Sequence, residues 1–425
     1  MRKVALVSFF LSRDSIVQFS SVAKLTAETV FIVGAGFSHH AGLPLTNGFT
    51  KAILEARDFS HGPSRMMVDF LSRFIHDAFD HSRKAGAKHW PDLEDIFTCV
   101  DLSANSGHHL GKSFAPADLR SVRRALLARI IRMLDQKYRV GRSKKGPDWW
   151  RLDDFFSRIS DKKFGFVSMN WDTVIERKLE LIREDLVVDY GCDALPAAIP
   201  DPPNFDDFRS SKKFIKKLKE GQVIALATRT RHGHSFERGV PVIKIHGSAN
   251  WLYCDNCRRL FWFHPDQCNR IADQLIKEDD LRRITRYTTK ATASILEDVR
   301  RRPEVYCTCA NNVPLGTRIA TFSYRKALEF PMFQKSWFAA EELLRSAKRW
   351  IFIGYSLPPA DFEFKYLLKR TQLSMPTTPE FIVVSGGRPR DMRRTYDNYQ
   401  KFFGRTIKKS RFFSSGLTRE AMESI

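Results

Sequence analysis

The 425-residue chain has no run of 18 or more apolar residues, which excludes a helical membrane span on sequence grounds. It has no internal repeat and no low-complexity tract, so repeat architectures and biased tails fall away as well. A basic start and a short apolar stretch, Met1 to Ser12, look like a secretion signal, but a small-residue cleavage site is lacking. Acidic residues are in short supply, with 48 Asp and Glu against 70 Lys and Arg, a net charge of +22. Cysteine is sparse, odd in number at seven and unevenly spaced, which argues against a disulfide framework and for metal binding in a reducing compartment.

What is present is a globular composition, 43% hydrophobic and 28% charged. The length implies one large domain with insertions, or two to three domains. Basic residues crowd 120–145, 209–219 and 387–411. Such stretches attract polyanions such as nucleic acid, or form a solvated basic face with no dedicated partner. No recognised nucleic-acid-binding module accompanies them.

The most telling local feature begins at Val30. Val30-Phe31-Ile32-Val33 reads as a fully buried strand. Gly34-Ala35-Gly36-Phe37-Ser38 then turns the chain sharply, and a helix is expected to start near Ser38. Strand, glycine turn and helix N-terminus together make an anion site of backbone N–H groups. The dinucleotide fingerprint G-x-G-x-x-G fails, because His39 stands at its third glycine. The P-loop fails too, because Gly42-Leu43-Pro44 replaces its Gly-Lys-Ser/Thr.

Further strands are expected at 164–169, 186–190, 240–247, 349–356 and 380–387, with helices at 172–184, about 334–348 and 361–371. Residues 50–158 read as mostly helical. Alternating strands and helices imply an α/β fold: a Rossmann-like parallel sheet with helices on both faces, a helical insertion lobe and a small cysteine-containing insertion. Segments 191–239 and 250–318 break the alternation and are placed at the sheet edge. In domain terms this gives an N-terminal segment 1–27, a main domain 28–390 with insertions at about 50–160 and 250–318, and a basic extension 391–425.

Ligands of parallel sheets bind beyond the carboxyl ends of the strands. Asn170-Trp171-Asp172 follows the second strand, and Thr173 and Glu176 form a capping box that starts a helix near Thr173, with the Asn170 amide free to face the cleft. His246-Gly247-Ser248 ends another strand. Gly354-Tyr355-Ser356 and Ser385-Gly386-Gly387 end two more. Singly, each has an ordinary structural reading; as an ordered set they suit one nucleotide lying across the sheet. Within 89–102 an acidic helix start, Leu93-Glu94-Asp95, reads as an ordinary capped helix.

Gly34-Ala35-Gly36-Phe37-Ser38, Asn170-x-Asp172, His246-Gly247, Cys254-x-x-Cys257 and Gly354-Tyr355-Ser356, in that order, resemble the sirtuin family. The stretches 353–361 and 168–176 look like its bacterial branch, many of whose members hydrolyse NAD in antiviral defence. The chain departs from the deacetylase pattern: Leu45-Thr46-Asn47 replaces an Asp-Phe-Arg segment, and Met169 replaces a Gln. The resemblance therefore implies NAD+ cleavage at the nicotinamide–ribose bond, by a cytoplasmic effector of anti-phage defence that acts as a homo-oligomer or with a partner defence subunit. It implies NAD+ contacts from Gly34, Ala35, Gly36, Ser38, Gly42, Gly354, Ser356 and Ser385. Asn170 would orient the ribose or the water, and His246 would be general base. Asp172 would either orient one of these or cap the helix. Two alternatives stand: a sirtuin-type deacylase or ADP-ribosyltransferase, and a non-catalytic nucleotide- or nucleic-acid-binding subunit of a defence complex.

Cys254, Cys257, Cys307 and Cys309 form two close pairs, and four thiolates suit a tetrahedral structural zinc. His264 and Cys268 are reserve ligands.

Overall fold

The computed structural model describes residues 25–55, 62–80, 90–182 and 187–199 except 145, 147, 161, 193 and 198, then 239–288, 295, 299, 305–307, 309, 314–317, 331–404 and 407–425. The first 24 residues and the basic stretch 209–219 lie outside them.

Among the described residues there are ten strands: β1 (Thr29–Val33), β2 (Phe164–Ser168), β3 (Val187–Asp189), β4 (Ala194–Ala197), β5 (Gly239–Lys244), β6 (Trp251–Tyr253), β7 (Leu260–Phe263), β8 (Arg349–Ile353), β9 (Glu380–Val384) and β10 (Phe412–Phe413). Seven of them form one sheet in the order β10-β9-β8-β1-β2-β5-β3, and every pairing in it is parallel. The fold is thus α/β, as expected. β1 is buried along its whole length because it sits mid-sheet with both faces covered. Its alternation splits the core: Phe31 and Val33 join the larger cluster, Val30 and Ile32 the other.

The helical lobe between β1 and β2 holds α1 (Ala35–His39), α2 (Phe49–Glu55), α3 (Gly62–Phe79), α4 (Leu93–Ser106), α5 (Pro116–Ser143) and α6 (Trp149–Ile159). α5 is its spine. The basic stretch 120–145 falls largely on it, and much of that charge is internal: Arg123 meets Asp101 at 2.8 Å, and Arg124 and Arg132 meet Asp280 and Asp273. Then come α7 (Val174–Ile182), α8 (Cys268–Gln274), α9 (Glu278–Ile284), α10 (Pro331–Ser346), α11 (Phe362–Ser374), α12 (Pro389–Phe403) and α13 (Arg419–Glu423).

The small cysteine-containing insertion is present as expected: β6 and β7 pair with β4 as a separate three-stranded sheet. Residues 391–425 carry most of α12 and all of β10. Tyr399 and Phe403 are buried against the second core cluster, and β10 adds the last strand beside β9. Net basic charge hid the apolar stripe of α12 from a composition-based boundary. Among the described residues no helix is long and apolar enough to cross a membrane.

Candidate functional site

β1 has β2 on one side and β8 on the other, so chain order reverses between β1 and β8, and ligand clefts of open parallel sheets lie at such a point. Register decides what meets there. Val33 pairs with both Ser168 and Ile353, and Ser168 pairs with Lys244. The residues just beyond these ends therefore converge. A cleft of about 940 Å³, its open mouth included, is lined by Gly34, Ala35, Ser38, Asn170, Asp172, His246, Gly354 and Ser356 among others. Gly36, Gly42 and Ser385 do not line it.

The glycine turn is built against the turn after β8. A Cβ on Gly34 would come within 2.7 Å of the Gly354 carbonyl, and one on Gly36 within 2.7 Å of Gly354 Cα. Gly354 has φ +62°, and a Cβ there would lie 2.2 Å from the Phe37 nitrogen. These three glycines allow two backbones to touch; the space beside Gly36 is filled by protein. The helix starts earlier than expected, at Ala35, and runs only five residues. Gly34, Gly36 and Phe37 donate their N–H groups to Ile353, Gly354 and Gly34 carbonyls at 2.9–3.1 Å. The Ala35 amide, first in the helix, has no acceptor within it.

Asn170 is engaged rather than free. Its Nδ2 donates to the Gly34 carbonyl and to Ser38 Oγ, both at 2.9 Å. A carbonyl only accepts, so the amide orientation is settled and Oδ1 is the group left for a bound molecule. Asp172 caps α7: its Oδ1 accepts the Val174 N–H at 3.0 Å. The expected Thr173–Glu176 box gives way because Glu176 points into the protein. There it pairs with Lys244 Nζ at 3.3 Å, both side chains buried. Lys244 also donates to the carbonyls of Asn170, at 3.2 Å, and Asp172, so it grips the turn that carries both. Burial raises the Glu176 carboxyl above its ordinary range, with Lys244 opposing. Gly247 has φ +82°, which turns the chain directly after buried His246.

Sequence reasoning passed over several cleft residues. Glu94 lines the cleft from the first turn of α4, so the Leu93-Glu94-Asp95 start does more than cap a helix. Asp361 lines it too, accepting from the Tyr355 hydroxyl at 3.0 Å. Burial and that carboxylate hold the Tyr355 phenol well above its ordinary value of 10.0, so it stays a donor. Lys244, which holds the Asn170–Asp172 turn without lining the cleft, was legible as a lone charge in an apolar strand. With Asp172, the cleft has three carboxylate side chains and no Lys or Arg among the described residues that line it. In a chain of net charge +22, this pocket favours positive charge.

The four cysteines come together away from this cleft. Cys254 and Cys257 lie on the turn between β6 and β7, and Cys307 and Cys309 close over them. All four sulfurs lie within 4.8 Å of one another, with Cys254 to Cys309 at 3.8 Å and Cys257 to Cys307 at 3.4 Å. A tetrahedral site with bonds of about 2.3 Å has edges of about 3.8 Å, so the set fits zinc. Asn256 Nδ2 reaches Cys309 Sγ at 3.3 Å, a supporting bond. The reserve ligands are elsewhere. His264 pairs with Glu180 at 3.0 Å. Cys268 is buried near Arg177, and burial pushes its thiol up to about 12.

No family model matches the chain, and no curated protein matches it.

Proposed function

We propose that the chain is an NAD+ hydrolase that cleaves the nicotinamide–ribose bond, resembles the bacterial sirtuin-like proteins, and acts as an effector of anti-phage defence. The observation that carries this reading is the meeting of Asn170 and His246 with the Gly34–Ser38 and Gly354–Ser356 turns in one acid-lined cleft at the reversal point of the sheet. The nicotinamide ring of NAD+ is cationic, and bond breaking moves positive charge onto the ribose. Glu94, Asp172 and Asp361 offer negative charge where this develops. The C1′–nitrogen bond breaks with its electron pair passing to the ring, so nicotinamide leaves neutral. Water adds at C1′ and gives its proton to His246. Asn170 Oδ1 orients the ribose hydroxyls or that water. The Ala35 amide and the turn around it meet the pyrophosphate. The fit of the cysteine cluster supports one structural zinc held by Cys254, Cys257, Cys307 and Cys309, which would staple the small sheet and leave no open position for chemistry.

One feature favours the binding-subunit reading. Arg390, Arg393, Arg394 and Lys401 are exposed along α12 and form no ion pair among the described residues.

Product analysis of purified protein with NAD+, with and without acyl peptide or nucleic acid, tests the proposal. Nicotinamide and ADP-ribose are expected without peptide. Asn170→Ala and His246→Ala should keep much of the NAD+ affinity and lose turnover by roughly 10²-fold or more. Parent-rate hydrolysis by both variants would remove these residues from the mechanism. Release that depends on acyl peptide would favour the deacylase, and binding without turnover the subunit.

A further inference from the structure

Lys244 ends β5, pairs in register with Ser168 and stands two residues before His246. It is fully buried, which lysine almost never is unless paired. Its Nζ donates to the carbonyls of Asn170, at 3.2 Å, and Asp172. Its own carbonyl accepts the Gly247 N–H at 3.3 Å and so closes the turn that carries His246. One residue thus joins the turns of both groups that the hydrolase reading needs. Asn170 is held at three points: its N–H donates to Ser168 Oγ at 3.1 Å, its carbonyl accepts from Lys244, and its Nδ2 is committed to Gly34 and Ser38.

The ammonium is answered from the side away from the cleft. Glu176 Oε1 lies 3.3 Å from it, and the Tyr190 hydroxyl donates to the same oxygen at 3.4 Å. Asn250 Nδ2 donates to that hydroxyl at 3.2 Å and to the Phe263 carbonyl at 2.8 Å. Glu176, Tyr190 and Asn250 are all buried. Asn250 directly precedes β6 and Phe263 ends β7, so an unbroken polar line runs from the small sheet to the Asn170 turn. A buried ion pair is a poor source of stability, because stripping water from both charges offsets most of their attraction. What this pair supplies, and an apolar pair would not, is a cation that grips two backbone carbonyls.

We propose that Lys244 is a positioning residue of the cleft, with Glu176 fixing its ammonium: from behind, the pair sets the Asn170–Asp172 turn and through it the aim of Asn170 Oδ1. Its effect on turnover rests on the hydrolase reading. Lys244 does not itself line the cleft, so it acts through that turn.

The test uses the full chain with Lys244→Met and Glu176→Gln together. Lys244→Met alone leaves a buried, unpaired carboxylate and should lose stability and turnover at once. The double change removes both charges and should recover most of the stability in urea unfolding, yet it leaves two carbonyls ungripped. Its kcat on NAD+ should stay roughly 10- to 100-fold below the parent, the scale of a misplaced reacting group, with KM little changed. Lys178→Met is the control: Lys178, also buried on α7, pairs with Asp153 at 2.5 Å, and its loss should cost stability without costing turnover. Hydrogen exchange of the 168–174 backbone, read by mass spectrometry without NAD+, follows the turn directly. The double variant should speed it by roughly tenfold or more, the effect of losing a charged hydrogen bond, and leave β9 unchanged. Should the double variant not fold, Tyr190→Phe, which deletes one hydroxyl from the line, takes its place, and smaller changes in the same directions are required. A variant that regains turnover together with stability overturns the proposal, and so does exchange at 168–174 that matches the parent. If the parent never turns over NAD+, the hydrolase reading falls, and the exchange result alone decides whether the pair holds the turn.

Discussion

Replacing Gly354 by Ala probes the joint on which the cleft is built. The new methyl carbon would lie 2.2 Å from the Phe37 nitrogen and 2.3 Å from the Gly36 carbonyl carbon, both backbone atoms that no rotamer change can move aside. The residue would also hold φ +62°, a left-handed conformation that costs a side-chain-bearing residue about 1–2 kcal/mol. Overpacking adds about 1–3 kcal/mol. The sum is about 2–5 kcal/mol, and relief requires the β1 and β8 turns to separate. Gly36→Ala meets Gly354 Cα at 2.7 Å without a backbone penalty and should cost less, about 1–3 kcal/mol. Gly42→Ala is the control: at φ +86° it carries the conformational cost, but the nearest atom beyond its chain neighbours, Gly141 Cα, is 3.7 Å away. Urea unfolding followed by tryptophan fluorescence ranks the three, with Gly354→Ala the least stable. NAD+ titration calorimetry should show weakened binding for Gly354→Ala and Gly36→Ala alike, because the turn has moved. If Gly354→Ala unfolds within about 0.5 kcal/mol of the parent, the size of a neutral surface change, the β1 and β8 turns do not touch as closely as these distances require.

Other outcomes follow from the buried polar groups and the cysteines. Lys244→Met strands Glu176, which should destabilise the fold by about 3–5 kcal/mol near neutral pH. With its cation gone, the Glu176 pKa rises further above its ordinary 4.5, so the loss should be mild at acid pH and grow as pH climbs; a pH-independent loss, read by urea midpoints, would contradict the pairing. Burial lowers His40 from 6.5 to about 4, so it stays neutral when folded. Its contribution is present above 6.5 and fades as pH falls towards 4, and His40→Gln should flatten that limb of the stability–pH curve by up to about 3 kcal/mol. Purified protein should hold about one zinc per chain by elemental analysis. Cys254→Ser with Cys257→Ser should remove it and lower the melting temperature, whereas Cys268→Ser should keep the metal; full stability without metal would rule out a structural site.

Much of this architecture was readable from the chain alone, because periodicity and burial are local properties. Six strands of the main sheet were legible as short β-branched or aromatic runs. The helical lobe was legible from apolar spacing. The two cysteine pairs stood out by proximity in sequence. What spacing could not supply was everything set by register and by contact across the sheet. Only alignment of Val33 with Ser168 and Ile353, and of Ser168 with Lys244, places Gly34, Asn170, His246 and Gly354 around one cleft. A motif cannot say that the space beside Gly36 is filled by Gly354, that the Asn170 amide is committed to Gly34 and Ser38, or that Glu176 abandons a local cap for a lysine 68 positions away. Those choices belong to the folded state, where a buried charge or amide must find a partner wherever the chain brings one. Short-range pattern determines which elements form; long-range packing and the cost of unsatisfied polar groups determine which residues those elements present to a ligand.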